Sequence, residues 1–246
     1  MPKTGAPTSN RAGTAKSCSL LFNNLAATRG HVAYVHQSTV VIVAESNVVP
    51  TFASSANCSF VNEPDGAQIQ QVRYVTPHSG GEMLVVCSKR SLQMYTPDGS
   101  RLLHVVTTPL PEENTLASFR GIANCATAET EYICAGCSTG AICLLPLAPG
   151  GDHQFLDPLL SPASAHEIVD VTAGPAPHLD PNRALVCSAD GSGAVHVHAL
   201  EADGGWGHCT TFSFSTADAT PSLCTSLRMR GVRLFCAHST GQVHVH

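Results

Sequence analysis

The residues best suited to chemistry are two His-x-His pairs, His196-Val197-His198 and His244-Val245-His246. Imidazole is a common zinc ligand, and two to three such rings beside an open position can make a catalytic metal site. Alternate residues of an extended strand share a face, so each pair presents both rings to one side. No Asp, Glu or Cys at fixed spacing completes the set, and a polar, half-exposed slot in a repeated strand accommodates His equally well. Cys134-Ala135-Gly136-Cys137 has the spacing of a redox dithiol. Such dithiols open a helix, whose dipole lowers the thiol pKa; here the pair runs into a turn, and no second C-x-x-C is present to complete a zinc ribbon. Ser188, His166 and Asp190 are the residue types of a nucleophilic triad. No Ser sits in a strand–elbow–helix context, however, and Gly191-Ser192-Gly193 reads as a hairpin turn. Phosphate loops, paired-carboxylate sites and dinucleotide fingerprints are missing. No catalytic residue, metal ligand or cofactor is therefore assigned. The single tryptophan, Trp206, follows Gly204-Gly205 and is expected on a loop tip. Aromatic residues dominate interface hot spots, so it is a candidate partner contact.

The elements that carry these residues repeat. An apolar run, a small polar turn and a second apolar run recur near 32–44, 83–95, 132–147, 184–198 and 233–246. Taking Arg90, Gly140, Gly193 and Gly241 as equivalent turn positions, the intervals are 50, 53 and 48 residues. Self-similarity at this period marks a repeat architecture. Gly supplies the positive φ that a tight hairpin demands; the copy at Arg90 lacks it. Val195, Val197, Val243 and Val245 alternate with the histidines, as in strands with two unlike faces. Leu84–Cys87, Tyr132–Cys134, Leu185–Cys187 and Leu234–Cys236 are continuously apolar, as in strands covered on both faces. The recurrence of Cys87, Cys187 and Cys236 at one place in the repeat points to packing, where a free thiol behaves as a small hydrophobe. Weaker strands are expected at Gln68–Val75, Glu167–Thr172 and Thr210–Phe214. Two strong and two weak strands per repeat describe one propeller blade. The expected fold is all-β: a β-propeller of five recognisable blades over residues 18–246, preceded by a flexible polar tail, 1–17.

Composition narrows the function. Of 246 residues, 43% are hydrophobic, enough for a sizeable core, and only 13% are charged, against about 25% in typical globular proteins. Net charge is −5, whereas nucleic-acid binders carry a basic surplus, so no nucleic-acid partner is expected. No stretch approaches the roughly 18 apolar residues of a transmembrane helix, and residues 1–17 show no apolar signal core. The expectation is a cytoplasmic protein whose eleven cysteines are reduced.

Two stretches resemble the WD-repeat family of β-propellers. Ser164–Thr172 resembles that family's Gly-His opening turn and the inner strand after it; Cys187–His198 resembles its strand, Asp-containing turn and strand. The Trp-Asp dipeptide is absent, with Val197-His198 and Val245-His246 near its place, so the repeats are degenerate. The resemblance implies an interaction platform without catalytic residues. It also implies a structural hydrogen-bond network of His166, Ser188 and Asp190. Family relatives are longer, which implies further blades after His246. The propeller is then incomplete at its C-terminal end, with an open sheet edge available for self-association. The functional expectation is a non-catalytic scaffold binding other proteins, in a cytoskeletal, ciliary or vesicle-associated assembly. The alternative is a metal-binding propeller with hydrolase-like activity at His196, His198, His244 and His246.

Overall fold

In the computed structural model of the protein, the described residues are 24–44, 58–63, 66–78, 80–107, 116–150, 153–176, 180, 182–214 and 222–246. The segment 1–17 lies outside them. Nineteen strands form five separate antiparallel sheets, and no helix occurs among the described residues. Blade 1 comprises β1 (Leu25–Ala27), β2 (His31–His36), β3 (Thr39–Ala44) and β4 (Cys58–Asn62). Blade 2 comprises β5 (Ile69–Val75), β6 (Met83–Ser88), β7 (Leu92–Tyr95) and β8 (Leu102–Val106). Blade 3 holds β9 (Phe119–Ala126), β10 (Glu131–Cys137), β11 (Ala141–Leu147) and β12 (Leu159–Pro162). Blade 4 holds β13 (Ile168–Pro175), β14 (Ala184–Asp190), β15 (Ala194–Leu200) and β16 (Trp206–Ser213). Blade 5 is three-stranded: β17 (Cys224–Arg230), β18 (Arg233–His238) and β19 (Val243–Val245). The expected all-β propeller is the observed architecture, each sheet a meander in chain order.

The apolar pattern explains how the blades stack. Strand side chains alternate between faces, and the second strands of blades 2, 3 and 4 each have another blade on either side. In β6, Leu84 and Val86 pack towards blade 1, while Met83, Val85 and Cys87 pack towards blade 3. In β10, Ile133, Ala135 and Cys137 face blade 2, while Tyr132 and Cys134 face blade 4. The core is therefore four apolar layers, one between each successive pair of blades. Cys87, Cys187 and Cys236 are fully buried within these layers. The outer strands add fewer residues, Val61 and Val106 among them, and leave Leu102, Val105, Leu159 and Leu160 exposed.

The first strand of each blade is innermost. Strands β5, β9, β13 and β17 each skip one residue of their register near the start, at Gln70, Gly121, Val169 and Thr225. A bulge near the start bends each of these four inner strands. At blades 3 and 4 the inner backbones nearly touch. A Cβ on Gly121 would stand 2.5 Å from the Val171 nitrogen, and its φ of 80° is in the left-handed region. Only glycine meets both demands.

Gly121→Ala is therefore expected to destabilise the fold by about 2 kcal/mol or more, through overpacking and backbone strain together. Denaturant unfolding measures this; an unchanged midpoint would show that the inner strands can move apart without cost.

Candidate functional site

The polar side chains converge where each inter-blade segment meets the hairpin joining second and third strands of the next blade. All these hairpins lie at one end of the propeller. Between blades 3 and 4 the centre is Asp190, last residue of β14 and 1% exposed. Its Oδ1 accepts from the Ser192 and Ala194 N–H groups at 2.9 and 3.0 Å and from Ser192 Oγ at 2.6 Å. Its Oδ2 accepts from Ser164 Oγ at 2.5 Å and lies 2.9 Å from His196 Nε2. The other His196 nitrogen is 3.1 Å from Thr211 Oγ1, which also meets His208 Nε2 at 2.9 Å. Turn formation explains the local structure: a carboxylate at the start of a tight turn captures the amides two and four residues on. These bonds, with burial opposing them, hold the Asp190 carboxyl down at about 2.

Asp190 thus sits at the heart of a network, but its partners are Ser164 and His196. The Ser188 hydroxyl is buried without a hydrogen-bond partner, because its strand position aims it between blades. The His166 ring is exposed, and His166 enters only through its backbone N–H to Ser164 Oγ, at 3.0 Å. No hydroxyl, imidazole and carboxylate of the three form a relay.

Equivalent latches occur elsewhere. Buried Glu63 follows β4 and accepts from Ser88 Oγ at 2.7 Å, Ser91 Oγ at 3.1 Å and Gln93 Nε2, while Tyr95 OH donates to Gln93 Oε1 at 2.5 Å. Burial, then Glu63, pushes the Tyr95 phenol up to about 12. Ser118 and Ser138 exchange two bonds at blade 3, and Ser222 meets His238 and Thr240 at blade 5. Glu63 and its partners were not singled out by sequence reasoning; a lone Glu after a weak strand carries no signal of its own.

The two His-x-His pairs do not converge. His196 and His198 face blade 3, whereas His244 and His246 lie against Phe212 and Phe214 on the other face of blade 4. The sheet of blade 4 stands between the pairs. Among the described residues no group of three His, Cys, Asp or Glu is placed to hold a metal ion. His198 is buried, stacked on Trp206 at 4.6 Å and edge-on to His208 at 5.3 Å. Burial, with His208 and His196 adding, depresses it to about 4. Trp206 begins β16 instead of capping a loop, and its indole N–H donates to the Pro162 carbonyl at 3.0 Å, joining blade 4 to the outer strand of blade 3. Cys134 and Cys137 are three apart on one strand and point into different layers, so they do not form a dithiol. Cys134 instead lies 3.7 Å from Cys125, sulfur to sulfur, and burial drives the thiols of Cys137 and Cys143 up to about 12. Such thiols are poor nucleophiles.

No family model matches the chain, and no curated protein matches it. Among solved structures, the Dos1 propeller is similar, with a TM-score of 0.58 at 10% sequence identity. The match covers 90% of this chain and 54% of that one, so the chain spans about half the length of that structure. At this identity the likeness is one of fold. No helix among the described residues is long and apolar enough to cross a membrane.

Asp190→Ala is expected to cost about 3 kcal/mol, since it strands Ser164, His196 and two turn amides. Asp190→Asn keeps an acceptor for those amides and is expected to cost about 1 kcal/mol. Equal losses for the two variants in urea unfolding would deny the turn-capping role. The pH response has a definite sign. His198 is depressed, so the unfolded chain takes up its proton first, and stability falls as pH drops from about 6.5 towards 4. Buried Asp170, raised to about 6, acts in the opposite direction between about pH 6 and 4. His198→Gln removes only the first effect. Relative to wild type it should gain stability steadily through that window; a constant difference from pH 7 to 4 would refute the assignment.

Proposed function

We propose that the chain is a non-catalytic interaction scaffold of the WD-repeat type that binds other proteins. The observation that carries this is the row of latched hairpins at one end of the propeller. Each tip is fixed from below by buried polar bonds, while Lys89, Arg90, Thr139, Gly191, Ser192, Ser239 and Thr240 are exposed. Rigid scaffolds that display loops favour recognition, because little ordering entropy is lost on binding. Trp206, only half-buried, is the aromatic assigned to partner contact. The network of His166, Ser188 and Asp190 expected from the family is read in the form centred on Asp190. Asn23-Asn24-Leu25, Ser91–Tyr95, Phe119–Ala123 and Gly241–His244 are similar to landmarks of WD repeat-containing protein fifty-four, which supports this reading. We place the scaffold in the cytoplasm, within a cytoskeletal, ciliary or vesicle-associated assembly. Self-association is proposed through β19, where Val243 and Val245 are 61% and 54% exposed.

Affinity capture from native lysate, repeated with Lys89→Glu and Ser239→Arg, tests the platform. A partner retained by wild type and lost by both variants, with unchanged melting temperature, is the expected result. A partner indifferent to the tips, or multiple turnover of a substrate by purified protein, would reject the scaffold reading. Sedimentation across protein concentration tests the β19 edge: Val243→Lys should abolish any dimer.

A further inference from the structure

The hub of the propeller encloses a cavity of about 640 Å3, lined by residues of the inner strands of all five blades. Cavities of roughly 300–1,000 Å3 are the size that small-molecule ligands occupy. Polar groups dominate the functional part of this wall. Arg73 enters from β5 and Arg228 from β17, so two guanidinium groups share one chamber. Burial and then the charge of Arg228 disfavour the Arg73 cation, while Asp170 favours it. One carboxylate, Asp170, also lines the cavity, and its oxygens accept the N–H groups of Val171 at 3.0 Å and Leu227 at 2.7 Å. Arg73 donates through Nη1 to the Ile122 carbonyl. A guanidinium carries five N–H donors, so this leaves donors over. The side chains of Arg228, Asn124, Thr76 and Ser226 make no hydrogen bond with the described residues.

Two cations facing one carboxylate leave positive charge in a partly open cavity. Such an arrangement is relieved by an anion, and the guanidinium fork matches the oxygens of carboxylates and phosphates. We propose that the hub cavity is an oxyanion-binding site, in which Arg73 and Arg228 clamp a phosphate or carboxylate group of a small molecule and Asn124, Thr76 and Ser226 supply neutral hydrogen bonds. The cavity exceeds one phosphate ion in size, so the ligand carries further atoms beyond the charged group. The site is separate from the hairpin tips and independent of whether a protein docks there.

Isothermal titration of the full chain with pyrophosphate and, in a second arm, with citrate tests this and distinguishes the source of the oxyanion. One of the two is expected to bind with one-to-one stoichiometry, more weakly at high salt. Arg228→Gln, at an exposed position, should weaken binding by about tenfold or more without changing the melting temperature of the free protein. Arg73→Gln should do the same; if it fails to fold, Arg228→Gln decides. Arg233→Gln, on β18 outside the cavity, should bind as wild type does. Bound anion should also raise the unfolding midpoint of wild type but not of Arg228→Gln. Absence of saturable binding in both arms, equal binding by Arg228→Gln, or equal loss in Arg233→Gln would overturn the proposal.

Discussion

A strand at the centre of a ring of sheets has one edge with no ladder partner. Its N–H and C=O groups face the hub, where an unsatisfied group is costly. The structure meets this constraint with side chains from the preceding blade. Gln71 Oε1 accepts from the Gly121 N–H at 2.6 Å, Asp170 Oδ2 from Leu227, and Thr172 Oγ1 from Met229 at 3.0 Å, while Arg73 donates to Ile122. Gln71 and Asp170 both follow the bulge of their strand, and Arg73 and Thr172 stand two places on. The same positions therefore stitch blade 2 to blade 3 and blade 4 to blade 5. Once the inner strands are held this way, the four apolar layers outside them have fixed spacing. The polar latches at the hairpin end then fix the rotation of each blade about its own strands. Hub, layers and latches thus act at different places in the ring, each with a different kind of interaction.

Much of this architecture was legible in the chain because it rests on short-range chemistry. Alternating valines define β15 and β19, and continuous apolar runs define β6, β10 and β14, since burial on two faces needs apolar residues at every position. The turn glycines at 140, 193 and 241 all adopt positive φ. The turn lacking one is rescued by Ser88, whose Oγ accepts the N–H of Arg90 at 3.1 Å and Ser91 at 3.0 Å. Asp190 could be found as a turn residue for the same reason.

What the chain did not disclose is set by packing over long separations. Ser164 reaches Asp190 across 26 residues and Glu63 reaches Ser88 across 25, and neither pairing follows from local spacing. His166 was expected in the network, but its ring is exposed and Ser164, two residues earlier, supplies the side-chain contact. Cys134 and Cys137 carry a familiar spacing whose meaning depends on the element: on a helix the two share a face, on β10 they do not. The two histidine pairs share a face within each strand as expected, yet one sheet lies between them. Their separation is a property of blade order, which periodicity along one strand cannot convey.

The placement of the sole indole has a practical consequence. Trp206 lies flat on His198 and is tethered to the carbonyl of Pro162 across the seam of blades 3 and 4. Its fluorescence therefore reads a single seam of the ring. Parting of that seam exposes the half-buried indole to water, so emission should redden as it opens, independently of events at the other three. Intrinsic fluorescence thereby becomes a local gauge of whether the ring opens blade by blade or all at once.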